Sequence, residues 1–272
     1  MAYYTLLVPA YTGHVNPMTV LGRELQRRGH RMVVIGPLAV ESAVCKAGLE
    51  FLPVATVEFP VGEWERRTAR MGELSGLKAS RFVGHWLGAF ARGILRDLPG
   101  IHARERFDGL VMDQIALGTE SVCAALGLPM AVACNALTLH AELSVPPLTF
   151  AWRYKTSPRF CLRNLLGLIL SYNTGWPVTW ELVRYRLKHR LPTMTFHHMN
   201  EMPPSLVQGA PQPALFDFPR RHLPDHFHYT GPWTQGCDRA SGFAGASAGG
   251  GGGTNHQRST WHRRSRRPPR AR

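Results

Sequence analysis

Short apolar segments alternate with amphipathic ones through the first half of the chain, and this alternation limits the possible folds more than any other feature. The intervening segments carry apolar residues at helical spacing. Near-continuous apolar strands separated by helices are typical of a parallel sheet covered on both faces. We therefore predict an α/β fold with a doubly wound, Rossmann-like sheet. The predicted strands are 3–10, 31–37, 49–55, 107–113 and 128–136, with later strands at 204–210 and 226–233.

The helices between these strands are predicted from capping signals and apolar spacing. Asn16 is a suitable N-cap and Pro17 occupies the favoured first helical position, so the first helix is expected to begin there. Glycines and one proline are expected to interrupt the long helical region at 61–105, namely Gly72, Gly76 and Pro99. Further helices are predicted at 39–48, 117–127, 160–172 and 179–191.

The positive charge is unevenly placed along the chain. The 272 residues have a formal net charge of +14, and residues 234–272 hold eight arginines against one acid, which is half of that charge. This Gly- and Arg-rich segment has too little apolar surface to offset its ordering entropy. We predict a Rossmann-like domain at 1–233 followed by a disordered tail at 234–272. The composition of the tail also matches GC-rich coding DNA read out of frame, and binding of nucleic acid by the tail is not favoured.

Cysteine usage and hydropathy point to a cytoplasmic protein. The five cysteines are far apart and form no CxxC pair, so neither a disulfide framework nor a zinc site is expected. The N-terminus has no basic leader, and no apolar run reaches the ~18–20 residues that a membrane-spanning helix needs. His197 and His198 are adjacent and would point apart, so we predict no metal site.

A histidine and an aspartate are expected to meet at one edge of the sheet. His14 follows the first strand and Asp113 ends the fourth. In a sheet of order 3-2-1-4-5 these strands are neighbours, and ligands bind where the winding reverses. The nearby helix N-terminus disfavours the imidazolium, and Asp113 would stabilise it after proton transfer. The pair therefore predicts a general base that deprotonates a hydroxyl.

Two other uses of such a sheet are excluded by their missing motifs. Nicotinamide binding needs G-x-G-x-x-G after the first strand and an acid after the second. The loop here reads "PAYTGHVNP", and the second strand ends "IGPLAV" without an acid. A Walker-type phosphate loop is absent as well. We expect no cofactor.

Three stretches carry a resemblance to a known family: "TGHVNPMTVLGRELQRRGHRMVVIG" (12–36), "VMDQIALGTESVCAALGLPMAVACNAL" (111–137) and "FDFPRRHLPDHFHYTGPW" (216–233). Together they resemble the N-terminal half of bacterial UDP-glycosyltransferases of GT-B fold, nearest to the zeaxanthin and macrolide glucosyltransferases. The resemblance implies an acceptor-binding domain at 1–233. It also implies that His14 is the catalytic base and Asp113 its partner in an inverting, metal-free hexosyl transfer from a UDP-sugar.

The sequence departs from the family after residue 233, where the donor domain that binds the UDP-sugar would follow. We expect that domain to be absent, through truncation or a frame shift, and the chain alone to be inactive. The expected acceptor is lipophilic, of polyketide, terpenoid or carotenoid type, because an aromatic-rich insert lies at 140–200. The expected acceptor-binding residues are Gly13, His85, Trp86, Asn135, Trp152 and Tyr154.

Arginines interleaved with these aromatic residues could also contact a membrane surface peripherally. The alternative to an enzyme is a non-catalytic module that binds an apolar small molecule, or nucleic acid through the Arg-rich tail. A donor domain in another reading frame would favour the enzyme, whereas salt-sensitive DNA binding by the tail would favour the module.

Overall fold

The computed structural model describes residues 1–192 and 205–234; residues 235–272 of the predicted disordered tail and the His197–His198 pair lie outside these ranges. The described residues form one parallel sheet of seven strands. They are β1 (Tyr3–Leu7), β2 (Arg31–Gly36), β3 (Glu50–Pro53), β4 (Gly109–Asp113), β5 (Met130–Ala133), β6 (Gln208–Ala210) and β7 (Phe227–Tyr229). The strand order is β3-β2-β1-β4-β5-β6-β7. The predicted α/β class and the central order 3-2-1-4-5 are both confirmed.

Within residues 1–192 and 205–234, seven α-helices connect the strands or pack on the sheet. They are α1 (Thr12–Arg27), α2 (Glu41–Lys46), α3 (Glu63–Gly72), α4 (Gly76–Glu105), α5 (Thr119–Leu126), α6 (Pro158–Thr174) and α7 (Trp176–Lys188). Short 3-10 turns occupy Leu38–Val40 and Ala214–Phe216.

Two predicted helix boundaries are wrong, and both involve proline. Helix α1 begins at Thr12 and contains Pro17, although Asn16 and Pro17 predicted a later start. The backbone N–H groups of His14 and Val15 donate to the carbonyl of Tyr11 and form the earlier turn. Helix α4 continues through Pro99, because buried residues on both sides of the proline, Leu98 and Ile101, pack into the core.

The sheet is covered on both faces by apolar side chains. On one face α4 contributes Trp86, Phe90 and Ile94, which are at most 2% exposed. On the other face α1 and α2 contribute residues such as Met18 and Val44, both fully buried. Each fully buried side chain of this size contributes about 1.5–3 kcal/mol of hydrophobic free energy. Burial of the strands on both faces explains their near-continuous apolar sequences.

Helix α4 packs closely on the corner where α6 meets α7. A methyl group at Gly84 would overlap the Thr174 carbonyl oxygen, and one at Gly88 would lie 2.9 Å from Cβ of Pro177. The absence of side chains at these two positions lets the corner approach the backbone of α4. This contact holds α6 and α7 beside the sheet. Within the described residues no helix is long and apolar enough to cross a membrane.

Candidate active site

The register of the sheet places Asp113 beside the end of β1. Leu7 at the end of β1 pairs with Met112 of β4, and Asp113 is the next residue. The chain then passes from β1 into α1, whose first turn carries His14. Two residues that are 99 positions apart are thus brought to the carboxyl edge of the sheet, where ligands bind in open α/β folds.

His14 and Asp113 are in hydrogen-bond contact. Nδ1 of His14 lies 2.7 Å from Oδ2 of Asp113, and the aspartate is fully buried while 15% of the histidine side chain is exposed. A carboxylate accepts only, so Nδ1 carries the proton and Nε2 is left with a lone pair. The arrangement leaves a partly exposed imidazole able to accept a proton at Nε2.

Asp113 has two further donors that hold it in place. Nδ2 of Asn135 donates to the same Oδ2 at 2.7 Å, and the backbone N–H of Ile115 donates to Oδ1 at 3.0 Å. Asn135 reaches the aspartate because Asp113 pairs with Ala133 of β5, and Asn135 follows Ala133 by two residues. Three donors on one buried carboxylate fix its orientation.

An aromatic group borders His14 on the side of α4. The ring of Tyr11 lies 5.8 Å from that of His14, 5.7 Å from that of Trp86 and 5.4 Å from that of Trp64. Burial raises the pKa of the Tyr11 hydroxyl to about 12, so this group is uncharged near neutral pH. The edge-to-face and tilted contacts give the imidazole an apolar, rigid wall.

A cavity of about 320 Å³ lies between α4, α6, α7 and the loop 138–149. Its wall is mostly apolar, with residues such as Val83, Leu168 and Val178. Glu120 also lines it and is fully buried, and burial raises the pKa of this carboxyl above its ordinary value. The size and lining suit an apolar ligand with few polar groups.

Two anchors hold the cavity loop against the sheet. The side chain of Gln114, next to Asp113, donates to the Leu137 carbonyl at 3.1 Å and accepts from the Leu139 N–H at 3.2 Å. From the other side, Arg220 donates to the Thr138 carbonyl at 3.1 Å and pairs with buried Asp217 at 3.0 Å.

The two segments that wall the cavity also contact the His–Asp pair. The loop that follows β5 carries Asn135 to Asp113 and then continues into the cavity wall at Thr138. Helix α4 carries Trp86 to the aromatic group beside His14 and carries Gly84 and Leu87 to the cavity. The pair and the cavity are therefore linked through shared elements.

The other residues expected to bind an acceptor lie at varied places. Gly13 is exposed in the first turn of α1, and His85 is exposed on α4. Trp152 stacks on Phe150 at 4.3 Å and packs against Gly167, while the Tyr154 hydroxyl donates to the Pro219 carbonyl at 3.4 Å. The residues that line the described cavity do not include these four, nor Trp86 or Asn135.

Sequence reasoning did not identify Tyr11, Gln114, Glu120 or Arg220. Gln114 could have been noticed because it follows Asp113 at the carboxyl end of a predicted strand. Glu120 and Arg220 lie within the stretches that carry the family resemblance, but nothing in the local sequence distinguishes them, or Tyr11, from their neighbours. Their roles depend on packing between distant elements. No group of three or more His, Cys, Asp or Glu that could hold a metal occurs in residues 1–192 and 205–234.

The parallel sheet, with the His14–Asp113 pair at its carboxyl edge, forms a Rossmann-like α/β domain of the kind found in GT-B glycosyltransferases. No family model matches the sequence. The chain is similar to zeaxanthin glucosyltransferase of Pantoea ananas (26% identity, 85% of this chain, 53% of the relative). It is also similar to O-mycaminosyltylonolide 6-deoxyallosyltransferase of Streptomyces fradiae (28% identity, 84% of this chain, 53% of the relative).

Solved structures agree on the fold. The calicheamicin glycosyltransferase matches with a TM-score of 0.59 and 18% identity, over 85% of this chain and 53% of that chain. The glycosyltransferase of kitacinnamycin matches with a TM-score of 0.58 and 17% identity, over 89% of this chain and 54% of that chain. The resemblance inferred from the sequence is confirmed: the chain is similar to zeaxanthin and macrolide glycosyltransferases over about half of their length. It spans about half the length of the curated relatives it matches.

Proposed function

We propose that this chain is the acceptor-binding half of a UDP-sugar-dependent, inverting hexosyltransferase, with His14 as general base and Asp113 as its partner. The observation that carries the proposal is the 2.7 Å contact between His14 Nδ1 and buried Asp113 at the carboxyl edge of the sheet. It leaves Nε2 free to take a proton, and the fixed tautomer is what a base of this kind requires.

In the proposed reaction, Nε2 of His14 removes the proton of an acceptor hydroxyl while the hydroxyl oxygen bonds to the anomeric carbon of the sugar. The bond from that carbon to the UDP oxygen breaks on the opposite face, so the configuration inverts. Asp113 stabilises the imidazolium that forms, and Asn135 and the Ile115 N–H keep the carboxylate oriented. The proton on His14 later passes to solvent.

The acceptor we propose is a lipophilic alcohol of polyketide, terpenoid or carotenoid type, held in the 320 Å³ cavity. The apolar wall would exclude water from the hydrocarbon part of the acceptor. We place the protein in the cytoplasm, beside a membrane from which such an acceptor is drawn. We assign UDP-sugar binding to a separate donor-binding half, and we expect residues 1–233 alone to transfer no sugar.

A chimera tests the base. Residues 1–233 joined to the donor-binding half of a zeaxanthin glucosyltransferase would be assayed with UDP-glucose and a panel of lipophilic alcohols. His14→Gln should lower kcat by about 10²–10⁴-fold, which is the usual contribution of a general base. His228→Gln changes an exposed histidine on β7 and should leave kcat unchanged. Equal turnover by the His14→Gln chimera would refute the assigned role.

Binding by the native chain separates the enzyme from a non-catalytic module. Quenching of tryptophan fluorescence would report saturable binding of the same alcohols to the 272-residue protein. The enzyme and a module for apolar small molecules both predict this binding, but only the enzyme hypothesis predicts that His14→Gln lowers kcat of the chimera while binding is retained. Absence of saturable binding by every alcohol in the panel would contradict both of these hypotheses.

A further inference from the structure

Helix α6 turns an apolar face outward. Leu162, Leu166, Ile169 and Leu170 are 59%, 60%, 55% and 42% exposed. Their spacing of three and four residues places them on one face of the helix. The buried residues of α6, Asn164, Gly167 and Leu168, face the protein. In most surface helices the apolar stripe faces the core, so this outward stripe is unusual.

Helix α7 repeats the arrangement with aromatic residues. Trp176, Trp180 and Leu187 are 60%, 54% and 61% exposed and are spaced by four and seven residues. The rings of the two tryptophans lie 6.2 Å apart. The buried side of α7 holds Val178 and Leu182, which line the cavity. We call the outward apolar residues of the two helices the α6–α7 face: Leu162, Leu166, Ile169, Leu170, Trp176, Trp180 and Leu187.

The net positive charge of residues 1–233 is confined to the segment that carries this face. Residues 143–192 hold eight basic residues and one acid, whereas the rest of residues 1–233 holds sixteen of each sign. The single acid, Glu181, is paired with Arg92 of α4 at 2.7 Å. Apart from buried Arg186, the basic side chains are exposed or half-buried: Arg153, Lys155, Arg159, Arg163, Arg184, Lys188 and Arg190.

Exposed leucine and tryptophan side chains among basic residues match the chemistry of a bilayer interface. Tryptophan favours the level of the lipid headgroups, and an apolar helix face can enter the boundary between headgroups and acyl chains. Basic residues close to the surface attract anionic headgroups. A protein partner would instead need a surface that is both acidic and apolar. An anionic membrane explains why the exposed apolar residues and the basic residues occur in the same segment.

We propose that the α6–α7 face docks the protein on membranes that contain anionic phospholipid. The two helices lie in the interface plane and do not span the bilayer, in keeping with their length and the absence of a spanning helix among the described residues. Docking does not depend on sugar transfer. It extends the proposed function by naming the surface that meets the lipid.

Vesicle flotation with the full chain tests the proposal. Vesicles of phosphatidylcholine alone and of phosphatidylcholine with phosphatidylglycerol would be compared. We expect binding to the anionic vesicles, weakened by about fivefold for each basic side chain of the segment replaced by glutamine. The double variant Leu166→Glu, Trp180→Glu removes two apolar contacts and should weaken binding about a hundredfold.

The control variant also adds two glutamates, but at positions outside the α6–α7 face. Val57 and Val61 are 74% and 83% exposed, outside the α6–α7 face, and the variant Val57→Glu, Val61→Glu should bind at least tenfold more tightly than the face variant. All four positions are exposed, so both variants should fold, as circular dichroism would verify. Equal weakening by the two variants would overturn the proposal, because attraction through the Arg-rich tail would then suffice.

Two other results would also overturn it. The native chain could fail to float with anionic vesicles. Gel filtration could instead show that the native chain is a dimer and that the face variant is a monomer, in which case a second copy covers the face. Neither result would bear on the His14 test, since the chimera is assayed with acceptor in solution.

Discussion

The contact between α4 and the α6–α7 corner can be measured with two alanine substitutions in one helix. At Gly88 the new Cβ would lie 2.9 Å from Cβ and 3.0 Å from the carbonyl carbon of Pro177. Carbon atoms pack at about 3.5–4.0 Å, so the corner must move by about 0.5–1 Å. At Gly100, by contrast, the nearest atom is Nη1 of Arg104 at 3.8 Å, on a flexible side chain.

Both substitutions gain the same helix propensity, about 1 kcal/mol for Gly→Ala. Overpacking costs about 1–3 kcal/mol. Gly88→Ala should therefore be less stable than Gly100→Ala by about 2 kcal/mol, and the propensity gain cancels in the comparison. For a domain of this size each kcal/mol shifts the Tm by about 2–4 °C, so we expect a difference of about 4–8 °C.

Thermal unfolding followed by circular dichroism would report both Tm values. Gly100→Ala should unfold above the native chain and Gly88→Ala at or below it. The same Tm for the two variants would refute the close approach of the corner to α4, and with it the packing that shapes the cavity.

Two further predictions follow from burial of ionisable groups. Burial raises the pKa of the Cys123 and Cys134 thiols to about 12, so at pH 8 iodoacetamide should modify exposed Cys45 and leave these two unmodified. Mass spectrometry would locate the label. Rapid modification of Cys123 or Cys134 would contradict their burial. Burial also raises the pKa of Glu120, so the folded chain holds this proton more tightly than the unfolded chain does. The protonated carboxyl of Glu120 therefore stabilises the fold below the pKa that Glu120 has in the unfolded chain, and this stabilisation is lost as the pH rises towards its pKa in the folded chain. Glu120→Gln should raise the Tm at pH 7 but not at pH 4, because glutamine stays uncharged. A lower Tm for Glu120→Gln at pH 7 would mean that the carboxylate is ionised and paired with Arg186.

The strand order and the contact between His14 and Asp113 could be anticipated because they follow from long-range rules. Alternation of apolar runs predicts a parallel sheet, and the switch-point rule then makes β1 and β4 neighbours. These rules need only the order of the elements along the chain. They are insensitive to errors of a few residues at the ends of helices.

The start of α1 and the course of α4 could not be anticipated, because local signals competed with packing. Asn16 and Pro17 form a good helix start by themselves, yet buried Val15 and Met18 extend the helix over the sheet on both sides of the proline. Proline interrupts an isolated helix at a cost of about 3 kcal/mol, and burial of neighbouring side chains can exceed it. Tertiary contacts decided both cases.

The surroundings of Asp113 depended on register, which the sequence does not reveal. Asn135 was expected near the acceptor, and its contact with Asp113 was not anticipated; it donates to the aspartate because β5 is aligned so that Ala133 pairs with Asp113. A shift of one residue would turn the neighbouring side chains to the opposite face of the sheet. The cavity likewise required α4 to pack against α6 and α7, which come much later in the chain.

Helices α6 and α7 contribute to two surfaces, the cavity wall on their inner side and the α6–α7 face on their outer side. Their inner residues, Leu168, Val178 and Leu182, line the cavity, while Leu166 and Trp180 point outward from the same turns. The wall between cavity and exterior is therefore a single helix layer, held to α4 at two glycines. In the proposed docking, an apolar acceptor that leaves the lipid would meet this helix layer before it reaches the cavity.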